Sequence, residues 1–159
     1  MKQAEGSKIE QQQQMVENMG VIFEQRGLRP MHGRVIAYLL LAEPPHKSFY
    51  DIQEFLKASK STVSTALNFL IDQQVVEYIT FSGDRRRYFQ INAEGWLNNI
   101  KKQIFQVTAI KNIFDIALEY RSETKHPAFN EDLQLLIDFH EQLADTLGAF
   151  IEKWETSSK

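Results

Sequence analysis

The chain contains no cysteine, so neither a disulfide framework nor thiolate chemistry is open to it. It has no apolar run long enough to span a bilayer, and its start, MKQAEGSKIEQQQQ, lacks the apolar segment of a secretory signal. A cytoplasmic protein with no membrane partner is therefore expected. Histidine is scarce: His32, His46, His126 and His140 form no short-spaced ligand pair, and without cysteine a structural zinc site is not expected. No nucleophile elbow, phosphate-cradling glycine loop or clustered acid–base set is present, which argues against an enzyme and against a cofactor. Positive charge is also short. The net charge of −3 is at first sight unfavourable for a nucleic-acid partner.

What is present is an ordinary globular composition, 43% hydrophobic and 25% charged over 159 residues. The charge is uneven. From Ala93 onward there are 7 basic and 11 acidic residues, whereas Pro30 to Asn92 holds 7 and 6, with three cations adjacent at Arg85, Arg86 and Arg87. A local basic tip on an acidic body can still engage phosphates, because field strength depends on where charge sits.

Helical periodicity begins after about Lys8, with Ile9, Val16, Met19 and Phe23 in phase, and Gly27 is placed to end that helix. Pro30 suits a first helical turn, and a second helix is expected from there to about Ala42, burying Val35, Ile36, Leu39 and Leu40 before Pro44-Pro45. Ser48 with Asp51 three residues later reads as a capping box for a short helix presenting Ile52, Phe55 and Leu56 to the core. After an Ala58-Ser59 turn, Ser59 caps a further helix whose Val63, Leu67 and Leu70 form a buried stripe. Val75 to Phe81 and Arg87 to Ile91 are β-rich runs joined by Ser82-Gly83-Asp84, which is hairpin-turn chemistry. Helix, strand, charged tip and strand in that order make a winged helix-turn-helix.

The flanks are helical. Asn92 can cap a long helix to roughly Ser122 that is apolar nearly all round from Ile104 onward. The last helix, about Asn130 to Thr156, places Leu133, Leu136, His140, Leu143, Leu147, Phe150 and Trp154 on a heptad seam, where a polar His140 reads as a register-fixing residue. More apolar surface is available than one subunit can hide, so a homodimer is expected. The fold class is thus mainly α with a small β-hairpin wing. Residues 1–29 form an N-terminal dimerisation helix, 30–92 the winged helix-turn-helix, and 93–159 a C-terminal dimerisation region.

In a helix-turn-helix the second helix enters the major groove by its N-terminal end. Lys60, Ser61, Thr62, Ser64, Thr65 and Asn68 are small or polar and lie off the buried stripe. Asn68 can pair with adenine through two bonds, and free N–H groups at the helix start favour phosphate. Arg85 to Arg87 stand where a hairpin tip projects, and a guanidinium can grip a phosphate with two parallel donors. Strand alternation puts Arg85 and Arg87 on one face and Arg86 on the other, and at least one of the three is expected to bond Asp84 instead of DNA.

Gly27 to Gly95 resembles the winged-helix unit of the multiple antibiotic resistance regulator (MarR) superfamily, most closely the branch of the glycine betaine synthesis regulator (GbsR). The likeness is carried by GLRPMHGRVIAYLLLAEPPHKS, SKSTVSTALNFL, GDRRRYFQI and INAEG. It implies a homodimeric, sequence-specific DNA-binding transcriptional regulator, with repressor as the favoured role, on a pseudo-palindromic operator. By position it assigns recognition to Lys60, Ser61, Thr62, Ser64, Thr65 and Asn68, and wing contacts to Arg85, Arg86 and Arg87. Members of that branch can sense choline, a small-molecule effector of the kind aromatic cages hold; Trp96, Phe105, Phe114, Tyr120, Phe129, Phe139, Phe150 and Trp154 of the helical arms are the available aromatics, though at helical spacing such residues are more often core than cage. Two departures stand out. Leu28-Arg29-Pro30 replaces the Leu-Pro-Arg usual in the branch, and Phe69 and Ile71 lie where such a helix is commonly polar. Phe69 is expected to pack on the wing or meet a thymine methyl. The rival reading is a winged-helix protein-interaction module without sequence-specific DNA binding.

Overall fold

Gly27, with a φ of +90°, turns the chain between α1 (Lys2–Gln25) and α2 (Pro30–Leu40). The structure, a computed structural model, describes residues 2–157, with side chains from residue 6. Two compact units divide the chain, Met1–Trp96 and Leu97–Lys159.

In the first unit α1 crosses α2 closely enough that a Cβ on Gly33 would lie 2.8 Å from the Phe23 Cβ and 3.1 Å from the Gly20 carbonyl oxygen. Arg34 then locks the crossing, pairing with Glu17 at 2.8 Å and Glu24 at 2.6 Å. β1 (Lys47–Ser48) leads into α3 (Phe49–Leu56), whose start is the expected capping box: Ser48 Oγ accepts from the Asp51 amide at 3.2 Å and the Ser48 amide donates to Asp51 Oδ2 at 2.8 Å. α4 (Lys60–Asp72) begins at Ser59, whose Oγ accepts from the Thr62 amide at 3.1 Å. Val63, Ala66, Leu67 and Leu70 of α4 join Val35, Ile36, Leu39, Ile52 and Val16 in one buried cluster. Each large member is worth about 1.5–3 kcal/mol of burial.

β2 (Val76–Ile79) and β3 (Tyr88–Ile91) pair antiparallel with Val76 opposite Ile91 and Ile79 opposite Tyr88. β1 adds to the other edge of β3, giving a three-stranded sheet in the order β1-β3-β2. α5 (Ala93–Ala109) follows. Asn92 Oδ1 accepts from the Gly95 amide at 2.8 Å, and a Cβ on Gly95 would come within 2.1 Å of the Gln74 carbonyl oxygen. The INAEG stretch therefore joins a helix cap to a contact only glycine permits. The chain is a mostly helical winged helix-turn-helix with a small antiparallel sheet.

The second unit holds α6 (Lys111–Tyr120) packed on α7 (Ala128–Ser157). Arg121 closes their turn, donating to Asn130 Oδ1 at 2.9 Å and to the His126 carbonyl at 3.1 Å while lying over the Phe129 ring. Leu133 and Ile137 are its buried apolar side chains among the described residues. His140 Nδ1 lies 2.7 Å from the Leu136 carbonyl, between the Phe114 and Phe139 rings.

Several expectations need correction. The long Asn92–Ser122 helix is two helices, broken at Ile110. α2 ends at Leu40, whose side chain is exposed, while Val35, Ile36 and Leu39 are buried as expected, together with Ala37 and Tyr38. α1 runs from Lys2 and not from about Lys8. β1 was not expected, since two residues have no periodicity to read. Among the described residues no helix is long and apolar enough to cross a membrane, and no cluster of three acidic or histidine side chains could hold a metal ion.

Candidate nucleic-acid interface

The residues at the start of α4 are free to meet a partner because the core uses the opposite side of the helix. At about 100° per residue, Val63, Ala66, Leu67 and Leu70 point inward, leaving Ser61, Thr65 and Asn68 on the outward face. Lys60, Ser61, Thr62, Thr65 and Asn68 are exposed and Ser64 is half-buried. The hydroxyls are ordered among themselves: Ser59 Oγ lies 3.0 Å from Ser61 Oγ and 2.7 Å from Thr62 Oγ1. These bonds preorient polar groups on the outward surface without using up the hydroxyls, each of which donates once and accepts twice.

The three arginines have three different situations. Arg86 is tied to Asp84, donating through Nη2 to Oδ2 at 2.7 Å and through Nε to Oδ1 at 3.1 Å, while its amide donates to Oδ1 at 2.9 Å. Tyr88 Oη donates to Asp84 Oδ2 at 2.7 Å. The Arg86 guanidinium, with these further donors, holds the Asp84 carboxyl well below the usual carboxylate range. Arg87 lies over the Tyr78 ring, its Cζ 4.7 Å from the centroid. Arg85 is exposed and makes no hydrogen bond, ion pair or ring contact among the described residues. The expected bond to Asp84 is thus made by Arg86. Behind the tip, His46, Phe81 and Tyr88 pack ring on ring at 5.0–5.4 Å, which stiffens the loop between β2 and β3.

Recognition helix and wing face each other. A cleft of about 400 Å³ is lined by Ser64 and Asn68 from α4, Arg86 and Arg87 from the wing, and Tyr50 and Tyr78 at its sides. Chemically this is a trough with an apolar base of Phe49, Leu67, Ile71 and Phe89, hydrogen-bonding groups of α4 on one side and guanidinium groups on the other. The two tyrosines were not anticipated. Tyr78 carried one usable signal, its place on a strand facing an arginine-rich partner; Tyr50, in the first turn of α3, carried none.

Phe69 does not pack on the wing as expected. Its ring stacks on His32 of α2, on the other side of α4. The reason is register: Phe69 lies about 100° round the helix from Asn68, away from the wing cleft. Several of the aromatic residues considered for an effector have partners within their own units. Trp96 packs near Phe23 in the first unit's core, and in the second unit Phe114 and Phe139 flank His140 while Phe129 lies under Arg121.

No protein-family model matches the chain. The chain is similar to the HTH-type transcriptional regulator MmpR5 of Mycobacterium tuberculosis (strain ATCC 25618 / H37Rv), with 26% identity over 143 residues, covering 88% of this chain and 87% of the relative. It is also similar to a solved structure described as a transcriptional regulator, at a TM-score of 0.62 and 25% identity, covering 89% of this chain and 99% of that one. Both of these relatives are transcriptional regulators, and the match in each case extends well beyond the winged-helix unit.

Proposed function

We propose that this chain is a homodimeric, sequence-specific DNA-binding transcription regulator, acting as a repressor at a pseudo-palindromic operator. The carrying observation is the cleft that joins the outward face of α4 to the arginine-bearing wing. It puts the two elements on one surface that suits a duplex: α4 enters the major groove, and the wing arginines take the adjoining backbone. The two regulator relatives support the same reading.

Dimerisation is supported by the second unit. Phe105, Ile113, Ile116, Leu135, Phe139 and Phe150 are each at least 60% exposed in the single chain. Apolar side chains in that number call for cover, and a second copy supplies it symmetrically. Two reading heads would then address half-sites about one helical turn apart. The residue likeness between Gly27 and Gly95 supports placing the chain in the MarR-like superfamily and its GbsR branch. Modulation by a choline-like effector is carried by that likeness alone, and titration of choline into the protein–DNA complex tests it.

Selection of bound sequences from random duplex DNA tests the main reading. An imperfect palindrome is expected. Recovery of no preferred sequence, with binding insensitive to salt, would favour a protein-interaction module instead. Sedimentation at micromolar concentration tests the assembly, and a monomer there would overturn the dimer.

A further inference from the structure

α4 is flanked by two clefts, and the wing accounts for one of them. The other, about 300 Å³, lies between α4 and the α1–α2 turn and is lined by Gly27, Leu28, Arg29, His32, Thr65 and Phe69. On α4 the wing cleft takes Ser64, Leu67, Asn68 and Ile71, while this one takes Thr65 and Phe69. The outward face, with Ser61, Thr65 and Asn68, lies between them.

Arg29 is the cation of this second edge. Its side chain is exposed and makes no hydrogen bond, ion pair or ring contact among the described residues, while its carbonyl accepts from the Gly33 amide at 3.2 Å. It stands at the N-cap of α2 without bonding that helix start through its side chain. Its charge is felt inside the cleft, where it adds to burial in lowering the proton affinity of His32. The walls beside it are apolar or neutral: Leu28, Phe69, His32 and the Thr65 hydroxyl. Among the described residues no carboxylate lines the cleft, and its one charged lining side chain is the cation Arg29.

The major groove is about 12 Å wide and a helix with its side chains about 10–12 Å across. A helix seated there has a sugar-phosphate strand on each side. The wing arginines Arg86 and Arg87 stand on one flank of α4, and Arg29 stands on the other. We infer that Arg29 and the α1–α2 turn form a second phosphate-binding edge, which holds the DNA strand across the major groove from the strand held by the wing. This rests on the DNA-binding function proposed for the chain. It deepens that function by making α4 a helix clamped from both sides, with the Phe69–His32 stack as the floor of the second edge.

The test uses the full chain and a duplex carrying its selected site, with single phosphates replaced in turn by neutral methylphosphonates. Wild type should lose affinity at phosphates on both strands bordering the groove. Arg29→Gln should become insensitive at the strand away from the wing while staying sensitive at the wing phosphates. Its log–log salt slope should flatten by about 0.9 for each phosphate that is no longer neutralised, hence by about two per dimer. Arg29→Lys should keep most of the slope, which separates charge from packing. An Arg29→Gln protein with the wild-type phosphate pattern and slope would overturn the second edge and leave the DNA-binding function standing. A wild-type protein with no salt-dependent duplex binding would overturn both.

Discussion

The Phe69 ring lies on the His32 ring, with centroids 4.3 Å apart and planes 20° from parallel. This stack joins the reading helix α4 to α2. Through the Gly20–Gly33 crossing and the Arg34 ion pairs, α2 is in turn joined to α1. A residue that looked misplaced on a DNA-facing helix is thus a strut. His32 is buried, its Nδ1 has no hydrogen-bond partner among the described residues, and burial, then Arg29, lower its pKa below 6.5.

A pH dependence of stability follows. Because the folded state holds this proton less well than the unfolded state, unfolding takes up a proton between the lowered pKa and 6.5. Stability should be flat above that range and fall as pH drops below about 6.5. Thermal unfolding of wild type and His32→Gln at pH 7.5 and pH 5.5 checks it. The variant should show a smaller loss on acidification; an equal loss in both would place the acid sensitivity elsewhere.

The wing arginines should not be equivalent. Arg85→Ala and Arg87→Ala should weaken binding to all duplex sequences and flatten the salt slope by about 0.9 for each phosphate left unneutralised. Arg86→Ala should cost less than either, since Asp84 already holds that guanidinium. Fluorescence anisotropy across a salt series reads all three. Equal slopes for wild type, Arg85→Ala and Arg87→Ala would remove the wing from the interface.

Asn68→Ala should act on sequence preference more than on overall affinity. Asn68 is exposed on the outward face and lines the wing cleft. Removing a bidentate pairing with a base costs about 1–3 kcal/mol of discrimination at one base pair. Repeating the sequence selection with the variant should show one position per half-site relaxed; an unchanged preference would reassign that pairing.

Gly33→Ala should destabilise the first unit by about 1–3 kcal/mol, the cost of forcing extra volume into a packed crossing. The new Cβ would lie 2.8 Å from the Phe23 Cβ and 3.1 Å from the Gly20 carbonyl oxygen. Urea unfolding measures this, and a midpoint equal to wild type would mean that α1 shifts away at no cost.

Much of the candidate interface was legible in the linear chain. Caps such as Ser48 with Asp51 and Ser59 with Thr62 act within one turn, so local residue order decides them. The stripe of Val63, Leu67 and Leu70 identified the outward face of α4 by subtraction, since a helix has only one side left once its core side is known. The break at Ile110 was not legible: its backbone angles remain helical and no proline or glycine marks it. Nor was the two-residue β1, which exists only because β3 offers it a free edge.

Apart from β1 and the break at Ile110, the sequence alone determined the element types, the helix caps and the residues of α4 turned away from the core, because these follow from local interactions and periodicity. Tertiary structure decided which of the exposed groups share a surface. Asp84 holds Arg86, Tyr78 lies under Arg87, His32 receives Phe69, and Arg29 faces the far flank of α4. The pairs of Asp84 with Arg86 and Tyr78 with Arg87 lie within the hairpin, but the other two join residues distant in the chain, and their meeting depends on how α1, α2 and α4 cross. Periodicity carries no information about such crossings.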